Sequence, residues 1–245
     1  MTSSTADEAT RRRLIGVMFG ANAFSSTAYI STITVASIIG ATFTGSPSLA
    51  GVPSTVATIG TAIGAIVLAW AGARIGRRRS HTTGFLVASV GAGGAAYAIA
   101  TESFPVFLAA FLVLGFGRSI SQLARFAAGD LRRESRRGAA ISLIVWASTI
   151  GSVLGPALIG PSGDWVRSLG GSELLGPVLV GVIGFTIATL VSFVGLRPDP
   201  LELAVADTDH EDDLAHPTHI SLGSIFARTS VQLAFAALVV SQLVM

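Results

Sequence analysis

The 245-residue chain contains no cysteine, and all 16 of its basic residues are arginine. Without cysteine there is no disulfide framework, no thiolate metal site and no cysteine nucleophile. Without lysine there is no Schiff-base chemistry and no phosphate-cradling lysine of a P-loop. Charge of either sign is scarce: 12% of residues are charged, where a soluble domain carries roughly a quarter. No H-E-x-x-H or G-x-S-x-G pattern is present, and Gly91-Ala92-Gly93-Gly94 lies in an apolar run with no preceding strand, which is no dinucleotide fingerprint. The basic clusters lack the exposed face that nucleic acid requires. The chain is therefore expected not to be an enzyme, to hold no cofactor and no metal, and to bind no nucleic acid.

What is abundant is apolar sequence. Hydrophobic residues make up 51% of the chain, the mean hydropathy is +0.69, and the polar residues are too few to cover a water-soluble surface. The bilayer must be the solvent. Crossing roughly 30 Å of hydrocarbon takes about 20 helical residues at about 1.5 Å each. Six stretches meet that length, near residues 14–39, 52–72, 82–100, 104–127, 140–160 and 174–196. A seventh begins near Ser230 and reaches Met245, short of a full span. The first stretch follows Arg11, Arg12 and Arg13 as a signal peptide would. It is too long for one, carries Asn22, Ser25, Ser26, Thr27 and Tyr29, and lacks a small-residue cleavage site.

The arginines orient the bundle. With the N-terminus in the cytoplasm, 14 of the 16 fall on or near the cytoplasmic side, leaving Arg167 outside and Arg118 within a span. From Arg197 to about Arg228 the chain turns polar, with Asp207, Asp209, Glu211, Asp212 and Asp213 close together. That composition reads as a cytoplasmic linker unable to bury a core. His210, His216 and His219 sit among these acids, either as solvated linker residues or as a loose metal site. The expected domains are 1–196, a six-helix unit; 197–228, the acidic linker; and 229–245, the start of a second unit.

Between the second and third spans the residues from Ala69 to Arg78 include Gly72, Arg74, Gly76, Arg77 and Arg78. This stretch resembles the loop signature G-x-x-x-D-R-x-G-R-R of the major facilitator superfamily, with Ala69 and Ala73 standing where that pattern has glycine and aspartate. A glycine permits a tight turn between helix ends, and arginines can satisfy the free carbonyls of a helix C-terminus. The resemblance implies that Arg74, Gly76, Arg77 and Arg78 form a gating loop against the second half of the molecule, and the missing acid removes a negative partner from it. Arg137 and Gly138 resemble the arginine-glycine pair of the loop between helices four and five of the same family. Gly151, Gly155, Pro156 and Gly160 resemble its helix-five G-x-x-x-G-P signature, associated there with antiporters. Glycines four apart offer a smooth packing face and Pro156 removes a helical hydrogen bond; ordinary small-residue packing is the plainer reading of the same pattern.

Arg118 is the most specific chemical feature. It lies about 14 residues, or roughly 21 Å of helical rise, from the start of the fourth span. A charge there costs about 3 kcal/mol on insertion scales, so it must face protein or water. Gln122 at i+4 and Arg125 at i+7 share its face. None of the six spans contains Asp or Glu. Arg118 therefore either contacts a substrate or coupling ion, or is structural and reaches toward the cytoplasmic interface. Asn22, the one asparagine, must bond a neighbouring helix or a substrate. Trp70, Trp146 and Trp165 read as interface anchors or packing.

Together these features imply an all-α integral membrane protein: the N-terminal six-helix half of a major facilitator transporter plus the beginning of helix seven, lacking its C-terminal half. The expected activity is alternating-access transport, by antiport or efflux, of a small organic solute across the plasma membrane, with a proton or another coupling ion as a further partner. Asn22, Tyr29, Arg118 and Gln122 are the expected cavity residues. A six-helix homodimeric carrier or channel, or a non-transporting membrane scaffold, are the alternatives.

Overall fold

The structure is a computed structural model that describes residues 2–131 and 134–199, with side chains described for 8–129, 131 and 137–199. Among the described residues seven α-helices follow one another: α1 (Thr2–Thr44), α2 (Val52–Ile75), α3 (Arg77–Ala100), α4 (Phe104–Asp130), α5 (Glu134–Ala157), α6 (Ile159–Ser168) and α7 (Leu175–Gly195). A single 3-10 turn, Pro47–Leu49, joins α1 to α2. Six of the helices, all but α6, contain segments long and apolar enough to cross a membrane. Their outward residues are apolar as well: Ile66 is 75% exposed and Trp146 is 69% exposed, surface that only lipid or further protein can cover.

Helix α4 lies against α2 and α3, α1 lies against α5 and α7, and α3 meets α7. Glycine explains how closely α4 approaches its neighbours. A Cβ on Gly60 or Gly64 of α2 would strike the α4 backbone at Leu112 or Phe116, and one on Gly115 of α4 would strike the α2 backbone at Ala57. Gly91 and Gly117 seal α3 against α4 in the same way. Lipid tails offer no hydrophobic drive to press helices together, so this backbone-to-backbone contact and its dispersion energy hold the seam. Phe85, Phe107, Phe111 and Phe185 fill the wider gaps and are fully buried.

Two expectations shift. The fifth helix ends at Ala157 rather than near Gly160, with Pro156 inside its last turn. Leu158 alone separates it from α6, so Gly160 belongs to α6 and a Cβ there would meet nothing. Gly160 is thus no part of a helix-five packing face. Helix α6 itself, ten residues long, lies where the sequence reading has only a connection between spans. Its Gly163 packs on the α7 start, where Gly176 leaves room for the Ser162 carbonyl, and Arg167 pairs with Asp164 at 2.9 Å and with Glu173.

The expected linker beyond Asp199, with its acids and histidines, lies outside the described residues. So does the stretch 229–245.

Candidate functional site

Helix α4 has a flank that the other helices leave uncovered. Arg118 and Arg125 are half-buried on it, and Gln122 and Phe126 are exposed. These residues sit at i, i+4, i+7 and i+8, one face of a helix. The Arg118 guanidinium lies 4.4 Å above the ring of Tyr29 from α1, a cation–π contact that offsets part of the cost of holding a charge at this depth. Its Nε–H is buried without an acceptor among the described residues, and so is that of Arg125. The structure therefore brings Tyr29 and Arg118 together and sets Gln122 one turn further along the same flank.

Asn22 sits deeper. Its Nδ2 donates to the Ile144 carbonyl at 3.0 Å and to Ser148 Oγ at 2.9 Å, both on α5. This is an interhelical tie, and it leaves Oδ1 buried without a donor among the described residues, as is Ser26 Oγ one turn on. Ser25 and Ser121 join α1 to α4 through their hydroxyls at 2.8 Å. Directly beside Asn22's contact, Gly151 and Gly155 bring α5 onto α1: a Cβ at Gly151 would overlap Ser26 and the Thr27 amide, and one at Gly155 would overlap Ile30.

The arginine-bearing end is tied by backbone as much as by charge. Gly76, at φ +95°, is the single residue between α2 and α3, a left-handed conformation that side chains rarely adopt. Arg74 stacks on Trp70 at 4.5 Å. Arg78 donates from Nε and Nη2 to the Phe193 carbonyl at 3.1 and 2.9 Å, satisfying the last turn of α7 as arginines near a helix C-terminus do. Arg13 donates to the Arg197 carbonyl and Arg11 to that of Leu131. Arg137 lies along Gly129 of α4, whereas Gly138 has open space around it.

One anchoring residue at this end escapes the sequence reading. Asp199, just past α7, accepts hydrogen bonds from the amides of Arg77 and Arg78 at 3.0 and 3.2 Å. It caps the N-terminus of α3, where a negative charge is stabilised by the free amides and the helix dipole. A Cβ on Gly76 would run into its carboxylate. A carboxylate thus reaches this turn from the far end of α7, although position 73 is alanine. His81, one turn into α3, is also buried, its Nδ1–H donating to the Arg77 carbonyl at 2.8 Å.

The sequence profile of the Major Facilitator Superfamily matches residues 17–245. The chain belongs to the major facilitator superfamily. Among its relatives are two uncharacterized MFS-type transporters of Bacillus subtilis (strain 168). YddS is 33% identical over 74% of this chain and 42% of its own length, and YdeG is 31% identical over 79% and 45%. The riboflavin transporter RfnT of Brucella anthropi is 26% identical over 82% of this chain and 50% of its own. The chain thus spans about half the length of the relatives it matches. The same fold appears in the D-xylose-proton symporter, with a TM-score of 0.61 at 20% identity over 82% of this chain and 52% of that one. The human organic anion transporter MFSD10 gives 0.59 at 17% identity over 78% and 48%. As a major facilitator chain this is a multi-pass membrane protein of a transporter family.

Proposed function

We propose that the chain works as the N-terminal half of a secondary active transporter that moves a small organic solute across the plasma membrane by alternating access. The uncovered flank of α4 and the neighbouring part of α1 line the route, with Arg118 and Tyr29 at its centre and Gln122 and Asn22 beside them. The observation that carries this reading is the Arg118 guanidinium. It is held inside a span, stacked on Tyr29, with an Nε–H lacking an acceptor among the described residues. A charge kept at that depth is expected to serve a pathway. The remaining helices of the transporter close the cavity from the other side, with the binding site between the two halves near the midplane.

The arginine-rich end faces the cytoplasm in this reading, following the bias of 14 arginines to that side. Gly151, Gly155 and Pro156 give α5 a smooth face on α1 and a defined end, suited to a helix beside a moving interface, and antiport or efflux is the favoured mode. Arg74, Gly76, Arg77, Arg78, Arg137 and Gly138 form the gating end. A proton or another ion supplies the coupling.

Transport into vesicles holding the transporter tests this, with riboflavin, D-xylose, L-arabinose and ethidium as probes. At least one probe should move, and Arg118→Ala should lower its flux at least tenfold at unchanged membrane abundance. Normal flux in that variant would remove Arg118 from the pathway. Reporter fusions at residues 76 and 135 should report the cytoplasm, and an outer location would reverse the proposed orientation.

A further inference from the structure

At the arginine-bearing end, the residues after α7 and the α2–α3 connection enclose a cleft of about 510 Å³. Ile75, Arg78, Arg79, Leu196, Arg197 and Asp199 line it. The cleft is cationic: three guanidiniums face one carboxylate, and that carboxylate is engaged by the first amides of α3. Arg78 is anchored on the Phe193 carbonyl, and both Arg78 and Arg197 stack on the Phe193 ring, at 5.0 and 5.6 Å. Arg79 and Arg197 are exposed, and their side chains make no hydrogen bond among the described residues. An anion entering the cleft meets the exposed guanidiniums of Arg79 and Arg197 beside the anchored Arg78, and a phosphate suits that set of donors.

Position says which phosphate. The cleft sits at the C-terminal end of α7, a helix long and apolar enough to cross a membrane, where headgroups are expected. An apolar stripe of α7, Ile183, Leu190 and Val194, runs away from it, 56%, 57% and 68% exposed. These residues fall at i, i+7 and i+11, one face of the helix. Basic pockets between membrane helices at such a depth take lipid headgroups. We propose that this cleft binds the phosphate of an anionic phospholipid, whose acyl chains lie along the α7 stripe. The lipid then bridges α7 and the α2–α3 turn, adding to the staple that Arg78 already makes.

Native mass spectrometry of the purified protein with phosphatidylglycerol, phosphatidylcholine and soluble glycerol 3-phosphate tests the site. One phosphatidylglycerol should be retained at least tenfold more strongly than phosphatidylcholine, and glycerol 3-phosphate should not displace it. The double variant Arg79→Gln/Arg197→Gln should lower that retention at least fivefold. A charge-matched control, Arg12→Gln/Arg167→Gln, leaves the cleft intact and should retain the lipid as the parent does, with helicity by circular dichroism equal in all three. Equal retention of the two lipids, or equal loss in both double variants, would overturn the proposal. Displacement by glycerol 3-phosphate would overturn the lipid assignment in favour of a soluble phosphate ligand, and failure to retain phosphatidylglycerol would overturn the proposal outright.

Discussion

The seam between α4 and α2 and the seam between α5 and α1 achieve the same closeness by different means. At the first, Gly60, Gly64 and Gly115 put backbone on backbone, and the one polar contact described across it is Thr61 donating to the Gly115 carbonyl at 3.1 Å. At the second, Gly151 and Gly155 supply the approach but Asn22 adds two hydrogen bonds across it. A glycine seam with a single polar contact depends almost wholly on shape, so a misfit has nowhere to go. A seam with polar ties combines modest bonds with shape, and those bonds can be exchanged for others when helices shift.

The largest effect should come from the α4–α2 seam. Gly115→Leu sets a side chain into the Ala57 backbone and should prevent assembly altogether, seen as loss of the monodisperse peak in detergent gel filtration. Gly151→Leu also meets atoms fixed to a backbone, Ser26 Cβ and the Thr27 amide, but the Asn22 ties across that seam can re-form as α1 and α5 shift, and it should cost about 3 kcal/mol in thermal or denaturant unfolding. If both variants behave alike, the distinction between the seams collapses. Asn22→Ala should be the mildest, about 1 kcal/mol, the usual worth of an interhelical polar contact in lipid. A loss above about 3 kcal/mol would make Asn22 a structural keystone and remove it from the cavity set.

The six spans were legible in the sequence because length and apolarity are the demands lipid makes, and the helices that carry them follow with only shifted ends. Helix α6 was not: ten residues rich in Gly and Ser, with Asp164 and Arg167, are too short and too polar for a span-length criterion to register. Helix extent also misled at Gly160, where the glycine spacing runs across the break at Leu158. In the candidate site, Arg118 stood out by its isolation, and Tyr29 by being an aromatic in a polar patch of helix one. Their stacking depends on the crossing of α1 and α4, which no local pattern encodes. Asp199 is the same case over a longer separation, since an acid after the last helix carries no mark that it caps the third.

Gly76 leaves the α2–α3 hairpin without slack. One residue inserted there would turn every side chain of α3 by about 100° about the helix axis, swinging Phe85, Ala88 and Ala92 out of the core they fill. Drift in chain length among descendants of this sequence is therefore expected to collect at the roomier corners around Gly45–Gly51 and Gly170–Gly171, while this corner keeps a constant residue count.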